Sequence, residues 1–457
     1  MRRFHPDFQS KIKILIQGIP MQVDLMIQAR WLIPVEPAAV THENHSLVID
    51  DGRTIDILDN TLALQTYQPR TLETLDHHVL IPGLINCHTH AAMSLLSGIA
   101  DDLPLLDWLQ NHIWPAEQKW VSESFVRDGT DLAIAEMLRG GTTCFNDMYF
   151  FPDIVAQQAI AHGIRANVGL IVFDFPTVWA KNADEYLSKG LALHEQLRHQ
   201  PLISLSFAPH APYTVSDEPL RNLRTFADEL DTTIHMHLHE TRHEVQEQMQ
   251  KTGQTPLQRI SDLGLLTPSF MGVHMTQLAD DEIQFYAQTG AHIVHCPESN
   301  LKLASGFCPV AACLRAGINV ALGTDGAASN NDQDMLAEMR TAALLAKGVS
   351  GDASAVSAMQ ALEMATLNGA KALKLDHEIG SLRMGKAADI VAIDLSEVET
   401  QPVFNPLAQI VYAASRHQVS DVWIAGRRVL NKRQLTTLDL NELRQRAAIW
   451  QQRLTQG

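Results

Sequence analysis

The chain has 457 residues, of which 46% are hydrophobic and 19% charged, as expected of a globular protein with a large core. Its formal net charge of −17 argues against nucleic acid or an anionic membrane as partner, because both would repel it. The five cysteines form no CxxC pair, which argues against a disulfide framework and favours the reducing cytoplasm. No run of ~18 consecutive apolar residues exists, so the sequence predicts no transmembrane helix.

The two ends of the chain differ in pattern from its middle. We expect residues 1–20 to be a loosely held extension, with folded structure beginning near Met21. DLMIQARWLIPVEP and HSLVIDDGRTIDIL alternate like antiparallel strands, as do GKAADIVAIDL and DVWIAGRRVLNKRQL near the other end. Neither set is long enough for a stable sheet alone. We therefore predict one small β-sandwich domain from residues 21–80 and 376–457, closed by a C-terminal helix.

The middle of the chain, residues 81–375, repeats a single theme. A short apolar, β-branched run ends in a polar residue, and a longer helical pattern follows. The runs lie at 78–90, 142–150, 164–175, 202–210, 232–240, 269–275, 291–299 and 319–325. Eight alternations of strand and helix predict a catalytic (β/α)8 barrel of the TIM type, in which functional groups gather at the carboxyl ends of the strands.

Side chains that can bind a metal close several of these runs. His88 and His90 are two residues apart, so both point to one face of a strand; His237 and Asp325 end two later runs. Three imidazoles and one carboxylate can hold a divalent cation and leave a position for water, which is typical of a catalytic site. The alternatives are satisfied polar residues at strand ends and, for Asp325, a helix N-cap. We predict one metal, zinc before iron, manganese or cobalt, because the run at 202–210 lacks the lysine that could bridge a second ion.

Three further groups are candidates for proton transfer. Glu240 lies three residues beyond the predicted histidine ligand of its run and is expected to shuttle protons to the substrate. His274 is expected to orient or deprotonate the attacking water, or to stabilise the developing oxyanion. Asp325 is expected to accept a hydrogen bond or a proton from the same water. The alternative for His274 is a histidine of the core. His235 and His239 share a strand face with the ligand, and we interpret them as packing residues.

Several motifs resemble one enzyme family. PGLINCHTHAAM, HLHE, VHCPESNLKLASG and GTDG are similar to the amidohydrolase superfamily, in its branch of aminohydrolases that act on purines, pyrimidines and triazines. The resemblance runs across nearly the whole chain and includes GKAADIVAID. A narrower match at 95–117, LLSGIADDLPLLDWLQNHIWPAE, resembles the 5-methylthioadenosine/S-adenosylhomocysteine deaminases.

The resemblance implies roles for individual residues. It implies zinc ligands at His88, His90, His237 and Asp325, and substrate contacts at Glu117, His210 and Glu240. A carboxylate at Glu117 can accept hydrogen bonds from both hydroxyls of a ribose, whereas without the resemblance it would be a surface helix residue. Trp114 nearby either stacks on a base or packs.

The implied reaction is hydrolytic replacement of the 6-amino group of an adenosine-type nucleoside by oxygen, with release of ammonia. S-adenosylhomocysteine would need a cationic partner for its carboxylate. Arg165 lies too near a strand start to be assigned this role, and no other arginine can be placed from the sequence. Met93 and the loop 173–179 either line an apolar tail pocket or belong to the core or a lid. We therefore favour 5′-methylthioadenosine, leave S-adenosylhomocysteine and plain adenosine open, and expect a homo-oligomer as in related enzymes.

Two other functions compete with this interpretation. Another aminohydrolase of the same branch, acting on guanine, 8-oxoguanine, cytosine or a triazine, would share the metal residues without needing an acid that binds ribose. The WPAE segment at 114–117 favours the nucleoside. A catalytically silent binding scaffold would lack one of the metal ligands, and this sequence retains all of them.

Overall fold

The computed structural model describes residues 20–456, so nearly all of the predicted extension at 1–20 lies outside the described residues. Within that range the strands form two sheets of eight strands each. No helix between the same limits is both long and apolar enough to cross a membrane.

The strands, in chain order, are β1 (Met21–Leu32), β2 (His42–Asp50), β3 (Arg53–Asp59), β4 (Tyr67–Pro82), β5 (Leu84–Thr89), β6 (Thr142–Asp147), β7 (Arg165–Val172), β8 (Ile203–Pro209), β9 (Thr233–Leu238), β10 (Phe270–His274), β11 (His292–His295), β12 (Val320–Leu322), β13 (Ile390–Asp394), β14 (Val419–Ile424), β15 (Arg427–Asn431) and β16 (Gln434–Leu435). The α-helices are Asn60–Thr66, Leu105–Trp108, Trp114–Trp120, Glu123–Arg139, Pro152–His162, Ala183–Leu197, Asp217–Leu230, Arg242–Thr252, Pro256–Asp262, Asp280–Thr289, Pro297–Lys302, Val310–Arg315, Ala327–Asn330, Met335–Ser350, Ala358–Met364, Leu367–Ala372, Pro406–Tyr412 and Leu440–Gln456. Short 3-10 turns lie at Ala91–Leu96, Val398–Thr400 and Arg416–Gln418, and a π-helical turn lies at Leu109–Ile113.

Strands β5 to β12 form the predicted barrel. They neighbour one another in chain order and all pair in parallel. The last strand also lies beside the first: Asn86 Nδ2 donates to Thr324 Oγ1 at 2.7 Å, and the Asp325 N–H donates to the His88 carbonyl at 2.9 Å. The barrel prediction is therefore confirmed. Because parallel strands end at the same rim, the polar residues after them are brought together there.

The first predicted run, 78–90, differs from a single barrel strand. Its first half is the end of β4 in the other sheet, where Ile81 pairs with Val391 of β13. The second half is β5. The chain crosses between the sheets at Gly83, where an added Cβ would lie 1.9 Å from Thr143 Oγ1. Only glycine fits this close passage, so a local apolar pattern that appears continuous is divided between two sheets.

The other sheet joins the two ends of the chain, as predicted for a separate β domain. Its order is β16-β15-β14-β13-β4-β1-β2-β3, and the antiparallel β4–β13 pair connects the N-terminal strands to the C-terminal ones. An apolar cluster of its own includes Ile27, Leu47, Ile390 and Trp423. The C-terminal helix packs on the barrel helix Glu123–Arg139, where Trp450 Nε1 donates to an Asp128 carboxylate oxygen at 2.8 Å. The exact domain boundaries stay predictions.

A buried ion pair links the two sheets. Arg165, at the start of β7, places Nε 2.7 Å and Nη2 3.2 Å from the two carboxylate oxygens of Asp389, which precedes β13. Both side chains are buried, and Asp389 also accepts from the Ala425 N–H at 2.8 Å. Arg165 therefore lies at the amino end of the barrel and is committed to Asp389, so it is not a partner for a substrate tail.

Removal of this link should destabilise the fold. We expect Asp389→Ala to lower the free energy of unfolding by about 3–5 kcal/mol, because it leaves the Arg165 charge buried without a partner. Chemical denaturation measures the change. The matched control is Glu195→Ala, which removes an exposed helical pair with Arg198 and should cost no more than about 1 kcal/mol. Equal losses in the two variants would contradict a special contribution from the buried pair.

Candidate metal centre and substrate cavity

One cavity of about 660 Å³ opens at the carboxyl ends of the barrel strands. It brings together almost every residue that the sequence predicted for the site. The predicted residues on its wall are His90, Trp114, Glu117, His210, His237, Glu240, His274 and Asp325. His88 is fully buried and lies just beneath the wall, within reach of the same cluster.

Four of these side chains form a metal-binding cluster. One ligand atom from each of His88, His90, His237 and Asp325 can be chosen so that all lie within 4.8 Å of one another. Asp325 Oδ1 is 3.1 Å from His88 Nε2 and 3.2 Å from His90 Nε2. Three imidazole nitrogens and one carboxylate oxygen at the rim of a cavity match a catalytic divalent site with an open position.

The histidine rings are held so that their Nε2 atoms face this cluster. His90 Nδ1 donates to the Met148 carbonyl at 2.6 Å, and His237 Nδ1 donates to the His210 carbonyl at 2.7 Å. A proton fixed on Nδ1 leaves the Nε2 lone pair available for a cation. His88 Nδ1 bonds to a fourth histidine, and its buried Nε2 makes no well-directed hydrogen bond to any described residue. This donor set fits a bound metal.

Asp325 is oriented by two serines that the sequence analysis did not identify. Ser299 Oγ and Ser329 Oγ donate to Asp325 Oδ2 at 2.6 and 2.8 Å. Burial opposes ionisation, but the contacts with His88 and His90 outweigh it and hold the pKa of Asp325 well below its usual range. The helix-cap alternative does not apply, because the next helix begins without a side-chain cap. Ser299 lies in the quoted motif VHCPESN, which was the available signal.

Glu240 follows β9 and is buried beside the cluster. Ser305 Oγ donates to its Oε1 at 3.4 Å, and its Oε2 lies 4.0 Å from His274 Nε2. Burial raises the pKa of the Glu240 carboxyl, which favours the protonated acid. Its backbone is fixed by Glu244, whose carboxylate accepts from the N–H groups of His239 and Glu240 at 3.2 and 2.7 Å.

His274 lies at the cavity rather than in the core. Its Nδ1 donates to Asn300 Oδ1 at 2.8 Å, which turns Nε2 toward Glu240. The ring stacks on His237 with centroids 5.5 Å apart. Its backbone φ of 73° is unusual for a residue with a side chain, and such conformations often accompany functional sites.

The other two histidines of the IHMHLHE run separate. His235 stays on the inward face, where its Nε2 lies 2.9 Å from His88 Nδ1 and supports that ring. His239 is past the end of β9, with a φ of 51°, so strand alternation no longer sets its direction. Its Nε2 accepts from the Leu257 N–H at 3.1 Å, which makes it a structural residue.

Two of the predicted substrate residues lie on one helix beside the cavity. Glu117 and Trp114 reach it from the helix Trp114–Trp120, and Trp114 remains 37% exposed. Burial raises the pKa of Glu117 to about 7, against the lowering effects of Tyr149 and His90.

The ring of His210 forms the opposite part of the wall. It stacks on Phe173 with centroids 4.8 Å apart, and its Nδ1 lies 3.1 Å from Thr214 Oγ1. Burial lowers the pKa of His210 to about 3, so the ring is neutral near pH 7. Met93 and much of the loop 173–178 also line the cavity.

Comparison with known proteins agrees with this geometry. Residues 79–429 match the model of the amidohydrolase family. A protein of Teredinibacter turnerae named 5-methylthioadenosine/S-adenosylhomocysteine deaminase is 50% identical over 432 residues, which cover 94% of this chain and 98% of that protein. A protein of the same name from Saccharophagus degradans is 49% identical over 428 residues, 94% of this chain and 96% of that one.

Solved structures give the same result. A crystal structure of an adenosine deaminase from Xanthomonas campestris with bound zinc superposes with a TM-score of 0.95 at 50% identity, covering 96% of this chain and all of that one. Atrazine chlorohydrolase from Arthrobacter aurescens shares the fold, with a TM-score of 0.86 at 21% identity over 93% of this chain and 99% of that one. Together with the cluster at the barrel rim, these similarities show that the chain belongs to the amidohydrolase family.

Proposed function

We propose that this protein is a zinc-dependent aminohydrolase that replaces the 6-amino group of an adenosine-type nucleoside, such as 5′-methylthioadenosine, by oxygen. Membership of the amidohydrolase family makes it a hydrolase that acts on C–N bonds. The observation that carries the proposal is one cavity whose wall includes Glu117, Glu240 and three members of the metal cluster. Relatives named deaminases at up to 50% identity support it.

The ligand cluster would hold the zinc through His88, His90, His237 and Asp325. The chemistry that zinc supplies when bound is a water pKa lowered toward ~7, which makes a nucleophile available at neutral pH. The second nitrogens of the histidines and the second oxygen of Asp325 are already bonded to the protein. These contacts keep the ligand atoms directed at one point before the ion arrives.

The buried acid next to this cluster moves the protons. Glu240 in its protonated form donates to the ring nitrogen beside the amino-bearing carbon, which makes that carbon more electrophilic. The water oxygen bonds to this carbon, while His274 or Asp325 accepts a proton from the water. The proton taken from the water passes to the amino nitrogen, the C–N bond breaks, and ammonia leaves. The remaining proton of the attacking water returns to Glu240, which leaves the carbonyl product and restores the acid. The raised pKa of Glu240 suits this role because it keeps the donor form populated.

The outer residues position the nucleoside. Glu117 accepts hydrogen bonds from the two ribose hydroxyls, which a base without its sugar cannot offer. The neutral His210 ring contacts the substrate beside the metal cluster, and Trp114 provides an aromatic face at the opening. Deaminases of free bases and triazine hydrolases have no ribose for such an acid, so Glu117 favours the nucleoside.

Three further expectations remain predictions. All five cysteines lie in the described range as buried free thiols, which supports a reducing compartment such as the cytoplasm. The homo-oligomer is a prediction from the family resemblance alone. A nucleic-acid or membrane partner remains disfavoured by the net charge of −17.

Glu117→Gln tests the nucleoside assignment. We expect kcat/KM for 5′-methylthioadenosine to fall by about 10- to 100-fold, because the amide replaces a charged acceptor of two hydrogen bonds. In the unaltered protein, kcat/KM should decrease as the pH falls through about 7, since the raised pKa lets the Glu117 carboxyl take up a proton there. That part of the pH dependence should be absent in the glutamine variant, whereas titration at the metal cluster remains in both.

The assay is loss of the 6-amino group of 5′-methylthioadenosine, S-adenosylhomocysteine and adenosine, followed by ultraviolet absorbance and ammonia release, with guanine as the free-base comparison. The matched control is Lys119→Ala on the same helix, which changes an exposed side chain that does not line the cavity. Turnover of guanine alone, or a Glu117→Gln variant that handles nucleosides normally, would overturn the ribose contact.

A further inference from the structure

The outer wall of the substrate cavity is largely apolar, and its polar members Gln118, Thr177 and Tyr213 are uncharged. Leu105, Leu109 and Ile113 line it from the segment before Glu117, and Phe173, Phe175 and Val178 line it from the loop after β7. None of the described residues on this wall is a lysine or an arginine. The described charged groups that do line the cavity, apart from its histidines, are the carboxylates of Glu117, Glu240 and Asp325.

The part of the substrate furthest from the metal must meet this wall. With the substrate placed as in the proposed function, with its amino-bearing carbon at the cluster and its ribose at Glu117, the 5′ substituent would point toward the mouth. The aromatic rings of His210, Phe173 and Phe175 form a row in that direction, with centroids 4.8 and 4.9 Å apart. Phe175 is the last ring of the row. Its side chain and that of Val178 on the same loop are each 42% exposed.

Four basic side chains on the flanking segments contact other groups, and Lys181, three residues after Val178, does not line the cavity. Three of the four form ion pairs with carboxylates: Arg259 with Asp217 at 2.9 Å, Lys302 with Asp101 at 2.6 Å, and Lys189 with Glu185 at 2.8 Å. Lys119, just after the lining residue Gln118, lies over the ring of Trp120 at 5.2 Å. Arg165, the arginine considered from the sequence, is at the opposite end of the barrel with Asp389.

We propose that the cavity selects nucleosides with a neutral 5′ substituent, methylthio or hydroxyl, and discriminates against the amino-acid tail of S-adenosylhomocysteine. This rests on the proposed function and refines it, since the relatives' shared name includes both compounds. The carboxylate of the homocysteine tail would lose water against an apolar wall and find no cation to replace it.

Four nucleosides separate the charge of the tail from its size. They are 5′-methylthioadenosine, 5′-butylthioadenosine with a long neutral tail, 5′-(3-aminopropyl)thioadenosine with a cationic tail, and S-adenosylhomocysteine. We expect kcat/KM for the butylthio compound to stay within about tenfold of the methylthio compound, and that for S-adenosylhomocysteine to fall by at least ~30-fold. The aminopropyl compound should be used better than S-adenosylhomocysteine, because it lacks the carboxylate.

Each other outcome has a defined meaning. S-adenosylhomocysteine used as well as the butylthio compound would overturn the proposal, because a cation would then serve the tail. An equal fall in kcat/KM for the butylthio compound, the aminopropyl compound and S-adenosylhomocysteine would also overturn the proposal. The size of the tail rather than its charge would then exclude all three. Failure of the methylthio compound and adenosine together would instead contradict the proposed function itself.

A cation introduced at the mouth provides a second test. Val178→Arg should raise the ratio of kcat/KM for S-adenosylhomocysteine over the butylthio compound by about fivefold or more, because the guanidinium can pair with the tail carboxylate. Val178→Gln is the matched control, long and polar without a charge, and should leave the ratio unchanged. The ratio cancels effects common to both nucleosides. An unchanged ratio in the arginine variant would contradict a missing cation as the cause of selectivity.

Discussion

Glu240→Gln is expected to lower kcat by about 10²- to 10⁴-fold, the usual contribution of a positioned general acid. Glutamine has nearly the same shape and keeps the backbone bonds to Glu244, but it cannot deliver a proton to the ring nitrogen. The neighbouring cluster does not include Glu240, so the metal content should stay the same. Steady-state kinetics and metal analysis of the same purified sample measure both quantities.

The control separates proton transfer from position. Ser305→Ala removes the one side-chain hydrogen bond that the structure gives to the Glu240 carboxyl, at 3.4 Å, and should reduce kcat far less. A Glu240→Gln variant with kcat within a few-fold of the unaltered protein would remove Glu240 from the mechanism. A loss of metal in that variant would show that the residue acts through the cluster and would equally contradict the assignment.

Asp325→Asn is expected to reduce metal affinity by more than ~100-fold and to abolish turnover at ordinary metal concentrations. The substitution removes the only anionic member of the described cluster, while an amide can still accept from Ser299 and Ser329. Metal binding stabilises the folded state in proportion to the logarithm of affinity, so added zinc should raise the Tm of the unaltered protein and not that of the variant.

A variant with an intermediate loss of metal affinity supports the test of Asp325. Ser299→Ala keeps the carboxylate but removes one hydrogen bond that orients it, and should lower metal affinity by an intermediate ~10- to 100-fold. Competition with a chelator ranks the three proteins without relying on activity. Stoichiometric metal retained by Asp325→Asn under this competition would exclude Asp325 as a ligand.

Local patterns in the sequence were sufficient for the barrel and for its key polar residues. The eight runs correspond to strands because short β-branched segments bounded by polar residues have few alternatives. Since parallel strands end on one rim, residues at the ends of several runs must converge there. This is why His90, His237 and Asp325 could be grouped before any distance was known.

The pattern of apolar and polar residues did not predict where a strand ends or where the chain passes from one sheet to the other. The run at 78–90 contains no signal that distinguishes its two halves except Gly83, and both halves are apolar because both sheets bury them. Likewise His239 has the spacing of an inward residue, yet the strand ends one residue earlier and the side chain turns away. Periodicity holds only while the strand continues.

The sequence by itself determined the alternation of strands and helices, the pairing of the two chain ends in a β domain, and the chemical types at the strand ends. Only the tertiary structure decided which residues support them: His235 behind His88, the serines on Asp325, and Glu244 beneath Glu240. It also decided that the outer cavity wall is largely apolar and lacks a described cation. The physical reason is that strand periodicity is local, whereas these contacts join segments far apart in the chain whose side-chain directions follow from packing.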